Sequence, residues 1–421
     1  MTARTLEVWI AEVLTGIVTQ RANGTFRFQY DPAYVASPSR IPLSHSMPLT
    51  QRVHGTRPIA NWMWGLLPDN EVTLSRWAQR FQVSARNPFA LLAAMGEDCP
   101  GAVQLMAPGT GQGSRGDVQW ISPANLAQRI KILLSDPGAG RLTTDTGQFS
   151  LAGAQSKTAL YRSGKRWGVP RGRTPTTHIL KPEGPQFPGL ATNEHFSLSL
   201  ARAAGVPAVR SEVAIIGDIP VIIVERYDRY RDVSDGAMKR IHQEDLCQAL
   251  GVHPRHKYQS DGGPGVPQIM ELLRLTKAPE IDRDRFMRAQ AFNFVIGGTD
   301  AHAKNYSILF EPGGAFRLMP LYDVISFLPY HQRRSQLALT MTIGGRRAVD
   351  EIGPRHWAKA AQQCGYPVDQ LMGHVADLAA KLPDLAATVR TECVSSGLSH
   401  PILDRLVDLI ADNAKRIVRR A

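Results

Sequence analysis

Apolar and polar positions alternate from the start of the chain. L-E-V-W-I at 6–10, G-I-V-T at 16–19, and Phe26, Phe28 and Tyr30 interleaved with Arg27 and Gln29 after an Asn23-Gly24 turn predict three short strands. The period then lengthens to that of a helix at 72–81 and 88–95, and G-A-V-Q-L-M at 101–106 returns to a strand. Trp62 and Trp64, set in W-M-W-G-L-L-P-D-N, are expected in the core of this β-rich start. The stretch A-P-G-T-G-Q-G-S-R-G at 107–116 reads as a linker. Ser122 before Pro123 then fits an N-cap and first helical position, with Leu126, Ile130, Leu133 and Leu134 as the apolar stripe. T-T-H-I-L-K at 176–181 predicts a strand, 193–203 an amphipathic helix, and V-I-I-V-E-R-Y-D-R at 221–229 a buried strand that runs into polar residues. Helical patterns follow at 242–251, 270–275, 285–296, 354–363, 367–382 and 401–420. The class is α+β, divided as 1–106, 107–145, 146–230 and 231–421.

One interruption of the helical half carries chemistry. G-T-D-A-H-A-K-N at 298–305 lies between apolar runs, and Gly313-Gly314 predicts a hairpin of 306–310 with 316–319 that ends on L-Y-D at 321–323. Such a hairpin brings Asp323 back towards Asn305. Asp300, Asn305 and Asp323 then supply a carboxylate for an acceptor hydroxyl, and an amide and a second carboxylate for Mg²⁺, the set that phosphoryl transfer from ATP requires. An isolated D-x-x-x-x-N is more often a capped polar loop, so upstream features matter. F-S-L-A-G-A-Q-S-K-T-A-L at 149–160 offers small residues, through which backbone amides approach phosphate, and the charge of Lys157; a plain strand-turn-strand fits it equally. Lys181 ends its strand as phosphate-orienting lysines of kinase N-lobes do, with Glu194 as a candidate partner, although a Glu near a helix start commonly faces solvent. Glu225, Arg226 and Tyr227 stand where a hinge strand would present its backbone to adenine. His302, Ala303, Lys304 and Tyr322 complete the two motifs, His302 more as a brace of the loop than as a phosphate ligand.

Composition narrows the partners. Across 421 residues the net charge is +12, which favours polyanions such as nucleotide or nucleic acid. Basic residues at the end of the last helix are better explained by its dipole than by nucleic-acid binding. Cys99, Cys247, Cys364 and Cys393 are scattered, as reduced thiols would be. No apolar run approaches the roughly 20 residues of a membrane span. The chain therefore reads as a cytoplasmic protein with no membrane partner.

Taken together, these motifs resemble the HipA family, the serine/threonine-protein kinase toxins of type II toxin-antitoxin modules. The resemblance rests on G-L-L-P-D-N, M-G-E-D-C-P-G-A-V, F-S-L-A-G-A-Q-S-K-T-A-L, P-T-T-H-I-L-K-P, V-E-R-Y-D-R, H-Q-E-D-L-C-Q-A-L-G, K-Y-Q-S-D-G-G-P-G, G-T-D-A-H-A-K-N and L-Y-D-V-I-S, in that order. It implies a divergent two-lobed protein-kinase-like fold with an all-helical C-terminal lobe. It also implies Asp300 as general base, Asn305 and Asp323 as Mg²⁺ ligands, Lys181 on the ATP phosphates, and a phosphate loop of Ala152, Gly153, Ala154, Gln155, Ser156 and Lys157. Glu225 to Tyr227 would hold adenine, and Ser150 would be the autophosphorylation site whose modification ejects the loop. Ser156 departs from the acidic residue familiar there. The implied partners are a HipB-like helix-turn-helix antitoxin, operator DNA through that complex, with Arg346 and Arg347 near the DNA-facing basic positions, and as protein substrate an aminoacyl-tRNA synthetase such as glutamyl-tRNA synthetase. A small-molecule kinase of related fold, or a degenerate kinase serving as corepressor, is the alternative.

Overall fold

The computed structural model describes residues 4–110, 116–140, 145, 149–153, 155–331 and 333–420. The first unit is a five-stranded antiparallel sheet of order β4-β3-β2-β1-β5, made of β1 (Arg4–Ile10), β2 (Val13–Gln20), β3 (Phe26–Tyr30), β4 (Val53–His54) and β5 (Val103–Met106). Pairing of Leu6 with Val18 and of Val18 with Phe28 stacks buried side chains on one face. Around it lie α1 (Pro32–Ala36), α2 (Thr56–Gly65), α3 (Glu71–Phe81) and α4 (Pro88–Met95). Asn70 caps α3 by accepting from Val72 and Thr73, and Asn87 caps α4 ahead of Pro88. Trp62 is buried in this core, whereas Trp64 sits half-buried at its edge, tilted against His253.

A six-stranded antiparallel sheet follows, of order β10-β11-β9-β7-β8-β6. Its strands are β6 (Val118–Ile121), β7 (Thr158–Ser163), β8 (Arg166–Pro170), β9 (His178–Pro182), β10 (Ser211–Ile216) and β11 (Ile219–Glu225). Helix α5 (Pro123–Ser135), capped by Ser122 as expected, lays Leu126 and Ile130 on Leu160, Val169, Leu180, Val221 and Ile223. Helix α6 (Leu190–Ala203) packs Phe196, Leu198 and Leu200 into the core that joins this sheet to the second lobe.

The second lobe is predominantly helical: α7 (Leu246–Ala249), α8 (Val266–Leu272), α9 (Pro279–Ile296), α10 (Pro354–Cys364), α11 (Val368–Ser395) and α12 (Ile402–Arg420). It is not all-helical. Hairpins β12 (Arg229–Arg231) with β13 (Met238–Arg240) and β17 (Ala338–Ile343) with β18 (Arg346–Ala348) flank a sheet of β14 (Gln243–Asp245), β15 (Ser307–Phe310) and β16 (Phe316–Leu318). The helix expected at 242–251 is half strand, because Gln243 to Asp245 pair with β15; Asp245 then starts α7 with a capping box to Gln248. The pattern at 270–275 belongs to α8, which begins at Val266 and tightens into a 3₁₀ turn at Leu273–Leu275. Helix α11 continues through Pro383, where a stop was expected after 382. Its next turns bury Ala386, Val389 and Cys393, which offsets the roughly 3 kcal/mol that an interior proline costs. The four cysteines are free and buried, and no helix among the described residues is long and apolar enough to cross a membrane.

Candidate active site

The two lobes enclose a cavity of about 770 Å³. On its C-lobe side, α9 ends at Gly297 in the left-handed conformation (φ 65°), which turns the chain into the Asp300–Asn305 loop. That loop closes on itself: His302 N–H donates to Asp300 O (2.9 Å), Asn305 N–H to His302 O (2.9 Å), and the Asn305 Nδ2 amide to Asp300 O (2.9 Å). The Asn305 side-chain oxygen is thereby left as the acceptor end. Asp300 opens to solvent at the cleft while protein surrounds it, and that desolvation raises its pKa. The Tyr258 hydroxyl donates to its Oδ1 (3.2 Å). His302 packs edge-on against the Tyr258 ring, and burial lowers its pKa to about 3, so it is neutral.

The hairpin β15–β16 returns the chain as expected. Tyr322 Oη donates to Lys304 O (2.7 Å) and meets Ser307 Oγ (2.5 Å), which fixes the residue before Asp323 against the loop. Asp323 itself has φ 55°, a left-handed backbone state uncommon outside glycine that Asp adopts more readily than most residues. Its Oδ1 bonds to Lys181 Nζ, and Lys181 also holds Glu194 Oε1 at 2.7 Å. Burial alone would pull the Lys181 pKa down; Asp323 and Glu194 reverse this and raise it. Burial likewise works against ionised Asp323, and Lys181 and Lys157 overcome it. Both are charged. Glu194, far from facing solvent, is fully buried on α6.

The described residues of the 150–157 loop are clasped from outside both lobes. Ser150 is buried, its Oγ donating to Leu66 O (2.7 Å) and its N–H to Asp98 O (3.0 Å). Pro68 bridges Gly153, whose carbonyl accepts from Asp69 N–H (3.2 Å). Gly153 has φ 105°, and a Cβ there would lie 2.4 Å from Lys157 Nζ. Lys157 caps the loop by donating to Ala152 O (2.7 Å), and burial lowers its pKa to about 8. Gln155 and Ser156 line the cavity; Ala154 lies outside the described residues.

At the hinge, Glu225 N–H donates to Arg210 O (3.0 Å) and Arg226 N–H to Thr177 O (3.0 Å). The Arg226 side chain turns away from the cavity's centre to Asp228 (2.8 Å) and Cys99 O (3.1 Å). There it joins Arg229 and Arg240 around Asp98 of the first unit, whose pKa these guanidiniums hold far down despite burial. Tyr227 stacks on Tyr322 and bonds Gln243 (2.9 Å). Ala303, within the Asp300–Asn305 loop, is fully buried. Lys304 is turned towards Asp69 (3.1 Å) and Asp245 (3.6 Å). Arg346 and Arg347 open β18, just after the Gly344-Gly345 turn and outside the cavity, Arg346 exposed beside Glu351 and Arg347 bonded to Leu339 O. Sequence reasoning missed Asp69, Lys257 and Tyr258 as cavity residues; the motifs P-D-N and K-Y-Q-S-D-G-G-P-G were the available signal.

A β-sheet lobe bearing a lysine paired to a helix glutamate, set over a helical lobe bearing D-x-x-x-x-N and a returning Asp, defines a two-lobed kinase-like protein. The HipA N-terminal domain family matches residues 6–106 and the HipA-like C-terminal domain family residues 149–386. The chain belongs to the HipA family. It is 36% identical to the protein Y4mE of Sinorhizobium fredii over 99% of both chains. It is 28% identical to the serine/threonine-protein kinase toxin HipA of Shewanella oneidensis over 91% of this chain and 89% of that one. Among solved structures, HipA in the Shewanella oneidensis complex of HipA, HipB and operator DNA superposes with a TM-score of 0.85 at 25% identity, covering 98% of this chain and 97% of that one.

Proposed function

We propose that this protein is an ATP- and Mg²⁺-dependent serine/threonine-protein kinase that acts as the toxin of a toxin-antitoxin pair. The observation that carries the reading is the Lys181–Glu194–Asp323 triplet facing the Asp300–Asn305 loop across one cavity. The residues fit a hard cation: the Asp323 carboxylate and the Asn305 amide oxygen are oxygen donors that would hold it, with phosphate oxygens and water as the further ligands such an ion would take. When bound, Mg²⁺ neutralises charge on the transferred phosphoryl group. Lys181 orients the phosphates of ATP, the loop from Ala152 to Lys157 covers them, and the backbone of Glu225 to Tyr227 borders adenine, with the Glu225 and Arg226 N–H groups already taken by Arg210 O and Thr177 O. Asp300 accepts the proton of the acceptor hydroxyl as that oxygen bonds to the γ-phosphorus and ADP leaves. Tyr258 holds one oxygen of Asp300 and leaves the other for the proton.

By likeness to the Shewanella HipA, HipB and operator DNA complex, a HipB-type antitoxin and operator DNA are its partners. The family resemblance of the sequence motifs adds Arg346 and Arg347 as candidate DNA contacts and an aminoacyl-tRNA synthetase in the cytoplasm as the acceptor. Ser150 is the autophosphorylation site. Its hydroxyl is enclosed, so modification requires the loop to leave first, and a phosphate of about −2 charge then opposes its return. The test is intact mass after incubation with ATP and Mg²⁺. Wild type gains one phosphate, Ser150→Ala none, and Asp300→Asn none, with phosphoryl transfer lowered at least about 100-fold. Full phosphorylation of Asp300→Asn would overturn the mechanism.

A further inference from the structure

We propose that Asp69, supplied by the N-terminal unit and not by either kinase lobe, is a positioning residue of the phosphoryl-transfer site that holds the phosphate loop against the Asp300–Asn305 loop. The inference deepens the kinase reading and rests on it for its meaning, though not for its test. Four segments meet at this residue. Its carboxylate lies 2.8 Å from Lys257 Nζ and 3.1 Å from Lys304 Nζ, and all three side chains are at most 12% exposed. Its backbone N–H holds Gly153 O, and the adjoining Pro68 bridges the same glycine. Three residues earlier, Leu66 O holds the Ser150 hydroxyl.

The clasp is anchored at both ends. Residues 66–69 run from the end of α2 to Asn70, the cap of α3, so the segment has little freedom to follow a moving loop. Each lysine, in turn, adjoins a residue of the reaction centre. Lys304 precedes Asn305, and Lys257 precedes Tyr258, which bonds Asp300. Asp69 itself is drawn off by its two lysines, which overcome burial and hold its pKa at about 2, so it works through the groups it ties together. Removing its charge leaves two buried ammoniums, with Asp245 and Gly65 O beside Lys304 and the more distant Asp300 as the carboxylate acting on Lys257. Lysines so placed repel, the clasp loosens, and the loop with Ser150 spends more time outside.

A thiol at Ser150 reads this without nucleotide, since all four native cysteines are buried. Ser150→Cys protein is labelled with a maleimide, with and without Asp69→Asn, and the rate at the new thiol is followed by mass. Asp69→Asn raises that rate at least tenfold, and Asp69→Glu brings it back within threefold of the parent. An unchanged rate, within twofold, overturns the proposal. If Asp69→Asn labels more than one thiol, its fold has opened, and Lys257→Met in the same background decides instead: a rise of threefold or more supports the clasp, and no rise overturns it. Fluorescent ATP analogue binding is measured alongside and weakens about tenfold in Asp69→Asn. Failure of the wild type to bind the analogue counts against the kinase reading, while the labelling rates still decide the role of Asp69.

Discussion

Replacing Lys181 by Met removes the ammonium that neutralises two carboxylates at once. The two are not equally harmed. The Asp323 side chain is 32% exposed, so water and Lys157 take over part of its stabilisation; Glu194 is fully buried, so water does not reach it and Lys157 is left as a weaker source of positive charge. Deleting one partner of a buried pair costs about 3–5 kcal/mol. Glu194 has an escape, because it can take up a proton. Relative to an unfolded pKa near 4.3, holding it protonated costs at most about 1.4 kcal/mol per pH unit, or about 5 kcal/mol at pH 8 and about 1.6 kcal/mol at pH 5.5. The sign follows from burial. A carboxyl whose folded pKa is raised binds more protons folded than unfolded, so the variant loses stability as pH rises above about 4.3. In the wild type, the raised Lys181 pKa contributes stability that is complete below about 10.4, and that contribution is flat between pH 5.5 and 8. Urea unfolding at both pH values should show Lys181→Met destabilised by about 3 kcal/mol or more at pH 8 and about 1.6 kcal/mol or less at pH 5.5. Adding Glu194→Gln should recover all but about 1 kcal/mol of the loss at pH 8. Equal destabilisation at both pH values, or no recovery in the double variant, would refute the assignment of the cost to an abandoned Glu194.

Two further outcomes follow from the charged groups around the cavity. Lys157 loses its proton near pH 8, so ATP binding should weaken about three- to tenfold from pH 7 to pH 9 as its charge disappears, and Lys157→Arg should remove that dependence; an arginine variant that keeps the wild-type pH profile would exclude Lys157 as the titrating group. Asp98→Asn leaves Arg226, Arg229 and Arg240 around a neutral amide and should cost about 3–5 kcal/mol in chemical denaturation, with proteolytic cuts between the N-terminal unit and the sheet lobe appearing first.

The parts of the site that repeat a local pattern were legible in the sequence. Asp300 and Asn305 sit five apart in one loop, and Gly313-Gly314 forces the hairpin that returns Asp323, so short-range geometry decides their meeting. Lys181 near the end of a short β-like stretch is of the same kind. What stayed hidden depends on contacts far apart in the chain. Gln243 to Asp245 have residues fit for a helix, and only pairing with β15 makes them a strand. Pro383 would end an isolated helix, and only the core beneath α11 carries it through. Asp69 is 188 residues from Lys257, and no periodicity records that meeting. The ionic group around Asp98 is similar: Arg226 reads as a hinge residue, yet its side chain serves a carboxylate 128 positions earlier.

These long-range contacts share one consequence. The phosphate loop, the hinge and the catalytic-side loop are each tied to residues 66–101 of the N-terminal unit, through Leu66 and Asp69, through Asp98 and Cys99, and through the Asp69–Lys304 pair. A kinase lobe pair needs only its own lysine, glutamate and loops to hold nucleotide, so three separate attachments to an added unit are more than folding of the lobes demands. Each attachment is also of a type that fails when broken singly, because every one leaves a buried charge or a buried carbonyl without its partner. The N-terminal unit is therefore attached to three sides of the cleft. A chain cut after the linker would keep every residue of the phosphoryl-transfer motifs and still lose the phosphate loop's only described contacts with Leu66, Pro68 and Asp69.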